Sequence, residues 1–183
     1  QMPSPRATVV ISTYNRSRAL RCAIRTVLAQ TMGDFELLVV GDGCTDDSEQ
    51  VVSAIRDPRI RWFNLPANTG HQSSPNNRAL AEACGEYIAY LGHDDLWLPH
   101  HLERATDALD RSGAGIARSI LMSVAPGEDT GMPVLPAAGV GSAPSCTVYR
   151  RAVTERIGGW KDYRELAEPP EIDLYRRALA AGF

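Results

Sequence analysis

Two adjacent carboxylates, Asp94 and Asp95, follow shortly after an apolar run that ends at Leu91, with Gly92 and His93 between. Charges at the end of a buried strand are unfavourable unless a cation or hydrogen-bond donors receive them. A divalent ion suits them, because hard oxygen ligands favour Mg²⁺ or Mn²⁺ and such an ion also neutralises a diphosphate. The same residues could instead cap the helix that is expected near Pro99. The pair therefore predicts either a metal–diphosphate site or a helix cap.

Two loops upstream of this pair also carry polar residues directly after apolar runs. Thr13 and Tyr14 follow the β-branched run of residues 7–12, and Asp42 follows the apolar run of residues 35–40. Ligands of parallel sheets collect at the carboxyl ends of the strands, so we expect these loops and the aspartate pair to share one crevice. There, Tyr14 could stack on a nucleobase and Asp42 could accept a hydrogen bond from an imide N–H. Taken singly, Tyr14 could equally be core packing and Asp42 a turn acid.

Strand-like and helix-like segments alternate at short spacing through residues 1–98. Apolar residues recur at helical spacing over residues 20–28, which predicts a helix with one stripe packed against a sheet. Thr45 is a candidate N-cap for the next helix, with Asp46 and Asp47 in its first turn. The alternation predicts an α/β fold built on a doubly wound sheet with parallel strands.

Length and composition limit the classes of protein that the chain can represent. Its 183 residues suffice for one domain with a real core, and its net charge of −3 provides no basic stripe for nucleic acid. No apolar run reaches the roughly 20 residues of a membrane span. The four cysteines show neither zinc-type spacing nor a disulfide framework. We therefore expect a cytoplasmic protein, either free or peripheral to a membrane.

Short motifs distributed over nearly the whole chain carry a family resemblance. In chain order they are Val10-Ile-Ser-Thr-Tyr-Asn15, Val39-Val-Gly-Asp-Gly43 with Thr45-Asp46, Asn68-Thr-Gly70, His93-Asp-Asp95 with Trp97 and Pro99, Gly158-Gly-Trp160, and Glu171-Ile-Asp-Leu174. Their types, order and spacing resemble those of family 2 glycosyltransferases, which have the GT-A fold. The resemblance implies a central, mostly parallel mixed sheet flanked by helices, in a single domain over residues 1–183. It also implies a nucleotide-binding half, 1–98, and an acceptor and catalytic half, 99–183, of a domain truncated at its carboxyl end.

The resemblance implies a role for each candidate site residue. Asp95, the last acid of the family's DxD-like motif, would bind Mn²⁺ or Mg²⁺. Glu171 would be the catalytic base, with Asp173 as the alternative and Glu168 as a weaker one. Glu171 could also be a plain first-turn helix acid after Pro170. The residues expected around the nucleotide-sugar donor are Ser12, Thr13, Tyr14, Asp42, Asn77 and Asp94.

The chain departs from the family pattern at three positions near these residues. Gly41 stands at the usual first acid of the Asp-Asp-Gly-Ser motif, and Asn76 stands at a usual arginine. His93 replaces a frequent acid before the aspartate pair. Sequence alone assigns neither His93 nor His71, which follows the Asn-Thr-Gly turn, to ligand contact.

The implied reaction is the metal-dependent transfer of a sugar from a nucleoside-diphosphate sugar, UDP- or dTDP-linked, to an acceptor hydroxyl with inversion. The Pro- and Gly-rich segment 125–142 is expected to close over the bound donor as a lid. Two other functions stay open. Pro169-Pro170 distorts the family's base motif, as a non-catalytic sugar-nucleotide or carbohydrate-binding module would allow. A sugar-phosphate nucleotidyltransferase would need a glycine-rich phosphate loop after the first strand, where residues 13–16 have no glycine.

Overall fold

A computed structural model describes residues 4–120 and 143–183 of the chain. The predicted lid segment 125–142 lies outside these described residues. The strands are β1 Ala7–Thr13, β2 Phe35–Gly41, β3 Ile60–Asn64, β4 Tyr87–Tyr90, β5 Ile116–Arg118 and β6 Thr147–Arg150. The α-helices are α1 Ser17–Leu28, α2 Ser48–Ser53, α3 Ser73–Leu80, α4 His101–Ser112, α5 Arg151–Ile157 and α6 Pro170–Ala180.

The six strands join one mixed sheet in the order β3-β2-β1-β4-β6-β5. The first four strands pair in parallel, whereas β6 is antiparallel to both β4 and β5. The chain runs outward from β1 to β3 and then returns to place β4 on the other side of β1. The strand order therefore reverses beside β1, and open α/β sheets bind ligands in the crevice at such a reversal. This sheet confirms the predicted α/β class and mostly parallel pairing.

Helices cover both faces of the sheet, which explains why the central strands are apolar on both sides. On one face, the stripe of α1 that includes Leu20 and Ile24 packs with Leu102 and Leu109 of α4. On the other face, α3, α5 and α6 supply the buried residues Ala79, Val153 and Leu174. The predicted apolar stripe of α1 is confirmed, and two helical layers position the loops at the carboxyl ends of the strands.

The predicted start of α2 is wrong, because the helix begins at Ser48 and not directly after Thr45. The side-chain Oδ1 of Asn15 accepts hydrogen bonds from the backbone N–H groups of Thr45 and Asp46, at 2.8 and 3.2 Å. Asp46 in turn accepts a hydrogen bond at 3.0 Å from the N–H of Ser48. These contacts hold residues 44–47, which follow β2, as a loop that is hydrogen-bonded to Asn15 just after β1.

The helices of the described residues are short. The longest, α1 and α4, have 12 residues each. A helix that crosses a bilayer needs about 20 mostly apolar residues. None of the helices described here combines the length and the apolar character that a membrane span requires.

Candidate functional site

A cavity of about 220 Å³ opens at the carboxyl end of β1, beside the reversal of strand order. Its walls come from loops that follow the four parallel strands β1, β2, β3 and β4. The residues that line the cavity include Ser12, Thr13, Tyr14, Asp42, His71 and His93. The fold brings the β1 and β2 loops into one crevice, as the sequence predicts, and adds the loop after β3 and His93. Asp94 and Asp95, which were expected in the same crevice, are not among its lining residues.

A larger cavity, of about 540 Å³, lies at the opposite edge of the sheet, where β1 and β4 begin. Three arginines line it, but each is already ion-paired. Arg6 bonds to Asp110 at 2.8 Å, and Arg150 bonds to Glu86 at 3.1 Å. Arg151 lies 3.6 Å from a carboxylate of α5. This edge offers no unpaired arginine to an anionic ligand, so the smaller crevice is the better candidate site.

Asp42 holds the neighbouring loop in place. Its carboxylate accepts hydrogen bonds from the N–H and Oγ1 of Thr69, at 3.0 and 2.8 Å, and from the N–H of Gly70 at 3.2 Å. Only 5% of Asp42 is exposed. Gly43 makes this approach possible, because a Cβ there would lie 2.4 Å from the backbone of Ala67. Asp42 thus shapes the wall of the cavity through the loop that carries His71.

Tyr14 stands at the mouth of the cavity with 45% of its surface exposed. The next residue, Asn15, has a positive φ of 48°, in a region that Asn tolerates better than most residues. Its side chain is hydrogen-bonded to the β2 loop through Thr45 and Asp46. That anchor fixes the turn on which the Tyr14 ring is displayed. Within the described part of the chain, the buried Oγ1 of Thr13 has no hydrogen-bond partner.

The two aspartates after β4 differ in environment. Asp94 is exposed, whereas Oδ2 of Asp95 accepts a short hydrogen bond from Oγ of Ser145. Neither acid caps α4, whose N-cap residue is His100 and carries no side-chain cap bond. The helix-cap interpretation of the pair is therefore wrong. Asp95 is instead fixed through one oxygen, and its Oδ1 makes no hydrogen bond to the described residues.

The donor set around Asp95 suits a divalent ion that arrives with a diphosphate. The described residues contain no group of three His, Cys, Asp or Glu side chains that could hold a metal by themselves. Mg²⁺ typically binds through one or two carboxylates and completes its shell with water and substrate phosphates. One free carboxylate oxygen of Asp95, flanked by the exposed Asp94, fits that pattern.

The three candidate bases near α6 are not equivalent. Asp173 is buried and bonds to Nε of Arg177 at 2.7 Å, with Nζ of Lys161 at 3.5 Å. Glu168 is paired with Arg176 at 2.7 Å. Glu171 has a buried Oε2 that lacks a hydrogen-bond partner within the described ranges. Glu171 alone of the three carries no ion pair with the described residues.

Asn77 lies away from the cavity wall. Its Nδ2 donates to the carbonyl oxygen of Trp160 and its Oδ1 accepts from the N–H of Trp160, both at 2.7 Å. The amide is thus committed to a backbone contact. The donor contact implied for Asn77 is left as a prediction without a geometric basis.

Sequence reasoning missed two contributors to the site. His71 lines the cavity and stacks on Tyr163, with ring centroids 5.1 Å apart, which joins the second half of the chain to the donor side. Its position after the Asn-Thr-Gly turn was the one available signal. Ser145, which holds Asp95, had no signal in the sequence, because its contact spans 50 residues.

Comparison with known proteins places the chain in a family. The sequence model described as Glycosyl transferase family 2 matches residues 8–136. An uncharacterised glycosyltransferase of Nostoc sp. is 40% identical over 108 residues, which are 57% of this chain and 33% of that protein. The succinoglycan biosynthesis protein ExoO of Rhizobium meliloti is 36% identical over 113 residues, 62% of this chain and 32% of that protein. The chain spans about a third of the length of these relatives.

Solved structures show the same fold at low sequence identity. Staphylococcus aureus TarS 1-349 in complex with UDP-GlcNAc matches 94% of this chain and 53% of its own, with a TM-score of 0.79 and 22% identity. The mannosyltransferase PcManGT of Pyrobaculum calidifontis, in complex with GDP-Man and Mn²⁺, matches 100% of this chain and 54% of its own, with a TM-score of 0.78 and 19% identity. The family match covers well over half of the residues and the fold agrees with it, so the chain belongs to glycosyl transferase family 2, with the GT-A fold.

Proposed function

We propose that this chain is the donor-binding and catalytic domain of a metal-dependent, inverting glycosyltransferase. It transfers a sugar from a nucleoside-diphosphate sugar, UDP- or dTDP-linked, to an acceptor hydroxyl. Support comes most directly from Asp95, which Ser145 holds through Oδ2, while Oδ1 makes no hydrogen bond to the residues that the structure describes. Among the structural neighbours, TarS has been solved with UDP-GlcNAc and PcManGT with GDP-Man and Mn²⁺.

In this proposal, different residues of the crevice bind different parts of the nucleotide-sugar donor. Ser12, Thr13 and Tyr14 surround the nucleobase, with the Tyr14 ring available for stacking. Asp42 contributes by holding the loop that carries His71. Asp94 faces the ribose or sugar-diphosphate side of the donor. Mn²⁺ or Mg²⁺ at Asp95 would neutralise the charge that develops on the departing nucleoside diphosphate.

Glu171 is the proposed base because, of the three candidate acids, it is the one without an ion-pair partner among the described residues. Asp173 is paired with Arg177 and Lys161, so its oxygens lie against cations and not toward an acceptor. The buried Oε2 of Glu171, which has no hydrogen-bond partner among the described residues, can accept the proton of an acceptor hydroxyl as the hydroxyl oxygen attacks the anomeric carbon. A single in-line displacement inverts that carbon and requires no enzyme nucleophile.

The two halves of the chain divide the proposed function. We propose that residues 1–98 bind the nucleotide and that residues 99–183 supply the base and the acceptor side. The stacking of His71 on Tyr163 supports a site shared between the two halves. A cytoplasmic location is proposed because all four cysteines are free, as in a reducing compartment.

Calorimetry of nucleoside diphosphates tests this proposal. UDP or dTDP should bind in the presence of Mn²⁺ and bind at least about tenfold more weakly in EDTA. Asp95→Asn should abolish the Mn²⁺-dependent part, because it removes the ligand charge. Asp34→Asn, which changes an exposed acid at the opposite sheet edge, should have no effect.

Two results would contradict the proposal. If UDP and dTDP each bind as tightly in EDTA as in Mn²⁺, nucleotide binding does not depend on a metal and that part of the proposal is wrong. Nucleotide binding without sugar transfer to any hydroxyl acceptor, in the full-length protein, would favour a binding module instead. The anomeric configuration of the product, read by NMR, decides between inversion and retention.

A further inference from the structure

The loop that contains Asp95 is tied down by a residue 50 positions later in the chain. Ser145 lies in a 3₁₀ turn over Pro144–Cys146, and only 6% of it is exposed. Its Oγ donates to Oδ2 of Asp95 and accepts a hydrogen bond at 2.9 Å from the N–H of Gly92. The Ser145 hydroxyl has a single proton and accepts the Gly92 N–H through a lone pair. Its proton is therefore available to the carboxylate of Asp95.

The backbone of this turn is held by a separate contact. Nε1 of Trp97 donates to the carbonyl oxygen of Ser145 at 2.7 Å. Trp97 is buried and stacks on His101, with ring centroids 4.4 Å apart. The position of the Ser145 main chain therefore does not depend on its hydroxyl, and removing that hydroxyl changes the support of Asp95 while the turn stays anchored.

Close packing leaves the carboxylate of Asp95 little freedom on the side of Ser145. A Cβ on Gly92 would lie 2.7 Å from Oδ2 of Asp95, so the carboxylate sits directly against the backbone there. The bonded oxygen faces Gly92 and Ser145, and the other oxygen is left for a ligand. Groups that orient a metal-binding side chain in this way typically alter metal affinity by 10- to 100-fold when they are removed.

We infer that Ser145 is a positioning residue for the metal-binding carboxylate of Asp95, an inference that rests on the proposed function. Ser145 occupies Oδ2, fixes the carboxylate before the ion arrives and directs Oδ1 toward the diphosphate. The hydroxyl comes from the second half of the chain, whereas the carboxylate comes from the first. The metal site is thus completed by a residue outside the nucleotide-binding half.

The test compares two affinities of the same variants. Mn²⁺ binding is followed by electron paramagnetic resonance of the free ion at saturating UDP, and UDP binding is measured separately by calorimetry in EDTA. Ser145→Ala should weaken Mn²⁺ binding about tenfold and leave UDP affinity in EDTA within about twofold of wild type. Ser145→Thr keeps the hydroxyl and should retain Mn²⁺ affinity within about threefold.

Thr154→Val is the matched control. Thr154 is also 6% exposed, and its hydroxyl donates to a backbone carbonyl on α5, at 2.8 Å. The Thr154→Val variant loses a buried hydroxyl but should keep the Mn²⁺ affinity of wild type. If Ser145→Ala fails to fold, Ser145→Cys takes its place, since a thiol of similar shape is a weak donor and should also weaken Mn²⁺ binding.

The outcomes separate this inference from the proposed function. If wild type shows no Mn²⁺ binding at saturating UDP, the proposed function fails and the role of Ser145 falls with it. If wild type binds Mn²⁺ and Ser145→Ala binds it equally well, only the inference is overturned. In an Asp95→Asn background, which is expected to lack Mn²⁺ binding, Ser145→Ala should leave UDP affinity in EDTA within about twofold, and a larger loss would show that Ser145 acts elsewhere.

Discussion

Asn77 and Trp160 are joined by a two-point contact between a side-chain amide and a backbone. Nδ2 of Asn77 donates to the carbonyl of Trp160, and Oδ1 accepts from its N–H, at 2.7 Å in each case. Gly159 is required for this approach, because a Cβ there would lie 2.2 Å from Oδ1 of Asn77. The contact locks α3 to the turn before the 3₁₀ segment that carries Tyr163, so it connects the two halves of the domain.

Asn77→Ala should therefore act on stability rather than on donor binding. Loss of both hydrogen bonds leaves the backbone groups of Trp160 unpaired and should lower the free energy of unfolding by about 2 kcal/mol. Urea unfolding measures this change, with Gln50→Ala, at an exposed site, as the control. UDP affinity should stay within about twofold of wild type. Unchanged stability with a selective loss of UDP binding would instead support the donor role implied by the family resemblance.

Glu171→Gln and Asp173→Asn should separate catalysis from structure. Glu171→Gln removes the proton acceptor and should lower kcat by about 10²- to 10⁴-fold with UDP affinity unchanged. Asp173→Asn removes the negative charge that pairs with Arg177 and Lys161 and should reduce stability by on the order of 2 kcal/mol while retaining most activity per folded molecule. Steady-state kinetics and thermal unfolding distinguish the two. The reverse pattern would make Asp173 the base.

Variants of Asp42 and Thr69 test whether nucleotide binding depends on the Asp42 carboxylate itself or on the loop at Thr69 and Gly70 that this carboxylate holds. Asp42→Asn replaces one acceptor oxygen with a donor, so the contacts from Thr69 and Gly70 cannot all persist. UDP affinity should fall about tenfold. Thr69→Val removes one of the same hydrogen bonds without altering Asp42 and should also weaken UDP binding, by a smaller factor. If Thr69→Val binds UDP like wild type while Asp42→Asn does not, Asp42 contacts the base directly.

His101 should make the fold less stable in mild acid. Burial lowers the pKa of His101 from 6.5 to about 4, and its Nε2 lacks a hydrogen-bond partner among the described residues. The unfolded chain therefore binds a proton more readily, so the stabilisation is present above pH 6.5 and is lost as the pH falls toward 4. The loss attributable to His101 amounts to roughly 3 kcal/mol at most.

The measurement compares wild type with His101→Phe, which keeps a ring to stack on Trp97 and does not titrate. Urea unfolding between pH 7 and pH 4 should show a steeper decline for wild type than for the variant. His100→Gln, at an exposed neighbouring position, should follow wild type. Parallel pH profiles for wild type and His101→Phe would contradict the buried, neutral state of His101.

Local pattern was sufficient to predict the crevice. The runs that became β1, β2 and β4 are mostly apolar, and helical segments separate them along the chain, so parallel pairing was the expected arrangement. Thr13, Tyr14 and Asp42 were predicted to meet because the carboxyl ends of such strands share an edge. The start of α2 was predicted wrongly, since the Asp46 carboxylate takes the N–H of Ser48 that a Thr45 cap could have used. Asn15 also holds the N–H groups of Thr45 and Asp46 in a loop.

The sequence by itself therefore determined the order of the elements, the edge that carries the polar loops and the family. Only the tertiary structure decided which polar groups at that edge are free. Ser145 meets Asp95, and Asn77 meets Trp160, across 50 and 83 residues. Such contacts depend on how two distant backbones come together, and residue type or spacing carries no record of that. The same aspartate pair was compatible with a cap or a metal ligand until the structure showed that neither acid caps α4. Among the described residues, Oδ1 of Asp95 accepts no hydrogen bond.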